Sequence, residues 1–413
     1  MMTILFKNLT VIDPEFRKTG DFYFDGQRLH SDFPSNQNAD HVFDTSGCFA
    51  SKGWIDLRVG LGEPGLEYKE TVESLCESLQ ASGFCAAVIL PNTDPVIQSK
   101  NEIDFLKSKS ARFLPELIIQ GAVTKNTNGE DLTEILDMHY QTGISIFGDG
   151  TNTLHHADRY LKVLQYLQKF NGILFDHPFD PLLAIFGQMH EGKISTNLGL
   201  KGLPAMAEEI AVHRNLELMR YAGGRVHFQT LSTAKSVELI RMAKKEGLNV
   251  SADVSIAQLL FSDEDLKDFD PNYKVMPPFR GSKERAALIQ GLKDGTIDAI
   301  CSNHQPQDLD SKFMEFDLAN LGQIGLQTFL PGMVKLAEEL SWDLLIQKIT
   351  SGPAKVLNRE LGENWTIFDP TANWVYSKDT NKSLASNHPW FGQELTGKVK
   401  FVIQKGQLAQ IDE

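Results

Sequence analysis

The apolar positions of this chain change period twice. Over residues 2–50 they come in short runs, at Thr3–Phe6, Leu9–Ile12, Asp21–Phe24 and Val42–Asp44, with polar or glycine-containing turns between them. That pattern predicts strands. The C-terminal stretch reads the same way, at Trp365–Phe368, Asn373–Tyr376 and Val399–Gln404. In between, continuous apolar runs alternate with helical spacing. Val72, Leu75, Cys76 and Leu79 predict a helix that Gly83 ends, and Phe84–Leu90 follows as a strand apolar on both faces. Further runs of that kind are Leu117–Val123, Ser145–Gly148, Gly172–Asp176, Arg225–Thr230, Leu248–Asp253 and Ile297–Ser302. With the run that starts at Gly53 they make eight strands joined by helical or long connections. That alternation predicts a (β/α)8 barrel of the TIM type rather than an open sheet. The expected organisation is an α/β barrel over 53–360, with a small β-sandwich made from both chain ends, 1–52 and 361–413.

Composition narrows the function more than the fold. The 413 residues carry a formal charge of −14, which argues against nucleic acid or an anionic membrane as the partner. No apolar run is long enough to span a membrane. The N-terminus lacks the basic-then-apolar pattern of a signal peptide. Cys48, Cys76, Cys85 and Cys301 lie far apart with no CxxC spacing. They read as buried, reduced thiols of a cytoplasmic protein.

Barrel enzymes place their chemistry at the C-terminal ends of the strands, so the segments found there carry the functional signal. In chain order they are Asp56-Leu57-Arg58-Val59-Gly60-Leu61-Gly62-Glu63-Pro64-Gly65, Leu90-Pro91-Asn92-Thr93-Asp94-Pro95, Phe147-Gly148-Asp149-Gly150 and Phe175-Asp176-His177. There follow Leu198-Gly199-Leu200-Lys201-Gly202-Leu203-Pro204 with Ala207-Glu208, His227-Phe228-Gln229-Thr230-Leu231-Ser232-Thr233, Lys274-Val275-Met276-Pro277-Pro278-Phe279-Arg280, Ser302-Asn303-His304-Gln305-Pro306-Gln307 and His388-Pro389-Trp390-Phe391-Gly392. Any one of them is weak. Their order and spacing together resemble the dihydroorotases of the amidohydrolase superfamily, over nearly the whole chain.

The resemblance implies a role for each position. Where the family has two zinc-binding histidines and a substrate-binding arginine, this chain has Arg58, Gly60 and Gly62. Two metal-ligand types are kept, Asp149 and His177, while the aspartate before Asp149 is Gly148. A third histidine ligand is Thr230, and the aspartate that serves as catalytic base and ligand is Asn303. Asn92 and Arg280 remain of the substrate pocket, beside His304, whereas Met276 and Gln307 replace an asparagine and a histidine that contact substrate.

Glycine offers no side-chain donor, threonine is a poor neutral ligand, and an amide does not serve as a base near neutral pH. A fixed cation at position 58 opposes a metal ion outright. No metal is therefore expected, and a buried Arg58–Asp149 ion pair is expected in its place. The bland alternatives are that His177 is a hydrogen-bonded core residue and that Asn92 and Arg280 now support loops. The resemblance then implies a non-catalytic protein of pyrimidine biosynthesis with a structural or assembly role. Its implied partners are a second copy in a homodimer, aspartate transcarbamoylase or an active dihydroorotase. The competing reading is an active cyclic amide hydrolase with a reduced one-zinc site on Asp149, His177 and His304. A small-molecule sensor is a third class, with no positive feature in the sequence.

Overall fold

The computed structural model describes residues 3–13, 16–31 and 39–411. Its centre is a run of eight parallel strands: β1 (Trp54–Val59), β2 (Phe84–Ile89), β3 (Glu116–Gly121), β4 (Ile146–Phe147), β5 (Ile173–Asp176), β6 (Val226–Phe228), β7 (Val250–Ser255) and β8 (Ala299–Cys301). Each pairs with the next in sequence order, and helices cross over between most of them. Buried on both faces, β2 reads as an unbroken apolar run for that reason, and β1 is equally buried but carries Asp56 and Arg58. The expected barrel is thus the fold. The first crossover helix, Val72–Ala81, starts where Thr71 accepts a hydrogen bond from the Ser74 amide at 3.1 Å, and it buries Val72, Leu75, Cys76 and Leu79.

The barrel closes where β8 meets β1. Beyond β8, His304 forms a parallel bridge with Val59, and the Gly60 amide donates to the His304 carbonyl at 2.7 Å. Lower down, the Asp56 carboxylate accepts from the Ser302 amide and from the Arg58 amide, both at 3.0 Å. Asp56 thus replaces ladder bonds across the seam.

The chain ends meet in one hydrogen-bonded sheet. Phe49–Lys52 is the join: it pairs parallel with Ile4–Asp13 and antiparallel with Trp365–Val375. Glu394–Gln404 and Gln407–Gln410 extend one side, Phe16–Phe24 and Leu29–His30 the other. Phe6, Phe22, Phe24, Ile367 and Phe401 fill its own core. The two strands expected at Thr3–Phe6 and Leu9–Ile12 are one strand, Ile4–Asp13, with a register shift between Phe6 and Leu9. Asn8, at φ 59°, makes the bulge. A polar turn residue in the sequence is here a kink within a strand.

Trp54 couples barrel to sheet. It is fully buried, edge-on to Phe84 of β2 at 5.7 Å and to Phe368 of the end sheet at 5.4 Å. Gly83, at φ +84°, leaves the space that Thr366 fills; a Cβ there would stand 2.5 Å from Thr366 Cγ2. All four cysteines are buried and none forms a disulfide. Among the described residues no helix is long and apolar enough to cross a membrane.

Two measurements check this account. Trp54→Ala should lower stability to chemical denaturation by about 3–5 kcal/mol, the usual cost of emptying a large aromatic site. A loss under about 1 kcal/mol would mean that the two units are not coupled there. Burial pushes the Asp56 carboxyl up from 3.8 to about 7. The folded chain then holds this proton more tightly than the unfolded one, so Asp56 costs stability as pH rises from 3.8 to about 7. Across that window, stability measured by denaturant titration should shift in favour of Asp56→Asn relative to the parent as pH rises. A gap that does not change with pH would refute this.

Candidate active site at the barrel mouth

Arg58 stands on β1 with the parity that points into the barrel, and it is fully buried. Its guanidinium crosses the mouth. Nε donates to Asn303 Oδ1 at 2.9 Å, and Nη1 donates to Gln229 Oε1 at 2.6 Å and to the Gly150 carbonyl at 3.2 Å. The side chain therefore ties the loops after β4, β6 and β8 to β1. All three acceptors are neutral. Burial lowers the Arg58 pKa to about 10, so it stays charged at neutral pH.

The ion pair expected between Arg58 and Asp149 is not formed. Asp149 turns toward the end of β3. Its Oδ1 accepts from the amides of Val123 and Thr124 at 3.1 and 3.0 Å, and its Oδ2 accepts from Thr124 Oγ1 at 2.6 Å. These donors stand where the resemblance implies a metal, and they explain why an aspartate persists there. Burial still raises its carboxyl to about 6.

His177, at the end of β5, is buried, with Nδ1 3.2 Å from Thr230 Oγ1. Burial, reinforced by the charge of Arg58, pushes its pKa well below 6.5, so the ring is neutral. Thr230 sits at φ 50°, where its amide meets Asp253 Oδ1 at 2.5 Å. His304 is turned away on the barrel seam. Its Nδ1 accepts from the Gly325 amide at 3.2 Å, which leaves Nε2 to donate to Glu70 at 3.3 Å. Asn303 binds Arg58 and Gln305 through Oδ1, and its Nδ2 reaches the Met276 carbonyl at 3.4 Å.

Asp149, His177 and His304 are thus each held by different partners. Among the described residues no group of three or more His, Cys, Asp or Glu side chains is placed to hold a metal ion. With a guanidinium lodged between the loops and both Asp149 oxygens already bonded to protein donors, the residues present do not fit the zinc that the resemblance implies.

The positions that lost a side chain have closed. A Cβ on Gly62 would lie 2.1 Å from the Leu66 carbonyl oxygen and 2.7 Å from that of Glu70; one on Gly148 would lie 2.1 Å from the Phe175 carbonyl oxygen. Backbone occupies the space those side chains need. Gly60 is less tight, at 3.1 Å from the His304 carbonyl oxygen. Asn92 and Arg280 are both hydrogen-bonded to loops at the barrel mouth. Asn92 accepts from the Thr151 amide and donates to the Asp149 carbonyl, at 2.8 and 3.1 Å. Arg280 is buried and donates to Ser232 Oγ and to the Leu203 carbonyl, at 3.1 and 3.0 Å.

Gln229, Thr124, Glu70 and Asp56 complete the site and were not singled out in the sequence. Gln229 has the inward parity of His227 and adjoins Thr230, which is a usable signal. The other three are marked by nothing but the partners that folding brings to them.

A family model described as Dihydro-orotase-like matches residues 49–236. A protein of Geotalea daltonii named dihydroorotase is 34% identical over 377 residues, covering 89% of this chain and 88% of its own. Another so named, from Syntrophotalea carbinolica, is 34% identical over 420 residues, covering 98% and 99%. Among solved structures, the L-hydantoinase (dihydropyrimidinase) of Arthrobacter aurescens matches with a TM-score of 0.86 over 100% of this chain and 97% of its own, at 21% identity. A D-hydantoinase matches with a TM-score of 0.82 at 18% identity. At those identities the structures speak for the fold alone.

Gln229→Leu removes the closest acceptor of a buried cation. It should cost about 2–3 kcal/mol in denaturant titration, the range for a hydrogen bond to a charged group. A variant as stable as the parent would mean that Arg58 does not depend on this bond.

Proposed function

We propose, from the premise that this chain belongs to the dihydroorotase family, that it is a dihydroorotase-like protein of pyrimidine biosynthesis that does not hydrolyse dihydroorotate. Its role is structural: it presents the family's barrel to a partner, either aspartate transcarbamoylase or an active dihydroorotase. The observation that carries the reading is the rebuilt barrel mouth. Arg58 is hydrogen-bonded across it, and backbone fills the side-chain space at Gly62 and Gly148. A hydrolase of this family needs a metal to lower the pKa of a water from about 16 to about 7, together with a group that takes up a proton. The set here offers an arginine, a threonine and an amide at those places. The closed backbone also means that the substrate's arginine contact is not recovered by changing one residue.

The test is turnover of dihydroorotate by the purified chain, with and without added zinc, alongside metal analysis. No turnover above the uncatalysed rate and well under one zinc per chain are expected. Zinc-dependent hydrolysis would refute the reading and favour the one-metal hydrolase. Replacing Arg58 and Gly60 by His, Thr230 by His and Asn303 by Asp together should raise the zinc content toward one per chain without restoring turnover.

A further inference from the structure

Beside Arg58 and His177 lies a cavity of about 390 Å3. Both residues line it, and both are almost wholly buried, at 0% and 4% exposure. Each carries one buried nitrogen with no hydrogen-bond partner among the described residues: Nη2 of Arg58 and Nε2 of His177. The remaining guanidinium donors are taken by neutral oxygens. No carboxylate forms an ion pair with Arg58 among the described residues. Asp56 accepts from two backbone amides, Asp149 from Val123 and Thr124, and Asp253 from His227 and the Thr230 amide. Asp56 and Asp253 lie close enough to favour its charge, but a buried cation without a direct ion pair is still costly. The imidazole has a matching need. In the tautomer in which Thr230 donates to Nδ1, Nε2 carries the hydrogen and is a second donor on the cavity wall.

Of the rest of the lining, Phe179, Ile185, Leu203, Val275, Met276 and Leu321 supply hydrocarbon, and Thr151, Asn152, Gln188, Gln305 and Gln307 supply neutral polar groups. A charged guanidinium beside a neutral imidazole, with hydrocarbon over much of the remaining wall, is how a site for a small amphipathic acid is built. We propose that the barrel mouth binds a small monocarboxylic acid with an apolar body. Its carboxylate meets Arg58 Nη2 and His177 Nε2, and its hydrocarbon part lies against the apolar side chains of the cavity wall. The two nitrogens are closed to water in this structure, so the acid displaces a side chain as it binds. Phe179, Leu203 and Met276 line both this cavity and the small gap beside His177 and Thr230, and of these Met276 is expected to move, because its unbranched thioether repacks at low cost. The proposal rests on the geometry of Arg58 and on a mouth without zinc, and it can fail in the binding experiment while the absence of turnover stands.

The experiment is calorimetric titration of the full chain with benzoate, with benzyl alcohol as the uncharged counterpart and phosphate as the bare oxyanion. Benzoate should bind one per chain, and both comparison compounds should bind at least about tenfold more weakly. Asn303→Asp gives Arg58 a carboxylate of its own at the position now 2.9 Å from Nε. It should weaken benzoate about tenfold or more while thermal stability is retained. Arg58→Met should abolish binding, and the Asn303 variant keeps the test open if that protein does not fold. No heat of binding at about 10 mM benzoate, benzyl alcohol or phosphate binding equally well, or an Asn303→Asp variant with unchanged affinity would each overturn the proposal.

Discussion

A buried guanidinium, held by neutral oxygens from three loops, is the interaction on which the barrel mouth depends. Removing Arg58 from water is strongly unfavourable, and the three acceptors at 2.6–3.2 Å repay part of that. Because they come from the loops after β4, β6 and β8, the bonds form only when those loops and β1 stand in one arrangement. A metal centre would impose the same constraint from its own charge. Here an arginine does so from within the chain, and it leaves one donor unmatched.

Much of the fold was legible and little of the site was. Runs such as Phe84–Leu90 and Ile297–Ser302 show their period and their turn residues locally, and both became barrel strands. Where local reading failed, a single backbone conformation was responsible, as at Asn8, whose positive φ keeps one strand continuous through a polar residue. The site is different because partnership is non-local. The inward direction of Arg58 follows from strand parity. The choice of Gln229 and Asn303 over Asp149 does not, because it rests on where β3 ends. There the Thr124 hydroxyl and two amides reach the Asp149 carboxylate. Charge attraction, with the proximity that the resemblance implies, suggested the Arg58–Asp149 pair. Hydrogen-bond saturation of the aspartate decided otherwise.

The same distinction explains which family-like residues this chain keeps. Glu208 accepts from the Ser232 and Thr233 amides, each at 3.1 Å, and so fixes the loop after β6. Arg280 completes that cluster through Ser232. Lys274 is buried, with Nζ donating to the carbonyls of Phe316 and Asp317 at 2.8 and 2.9 Å. Each finds its partners within the chain, and losing any of them would strand a buried polar group at a cost of about 1–3 kcal/mol. At four of the positions whose implied partner lies outside the chain, Gly60, Gly62, Gly148 and Met276 now stand. None of them leaves a buried side-chain polar atom to satisfy. His177 is different from these four: its family-like partner would have been a metal, yet the histidine is kept, with one nitrogen bonded and the other not. An imidazole retained without full partners, beside a guanidinium in the same condition, is what separates a mouth that has only closed from one that has changed what it holds.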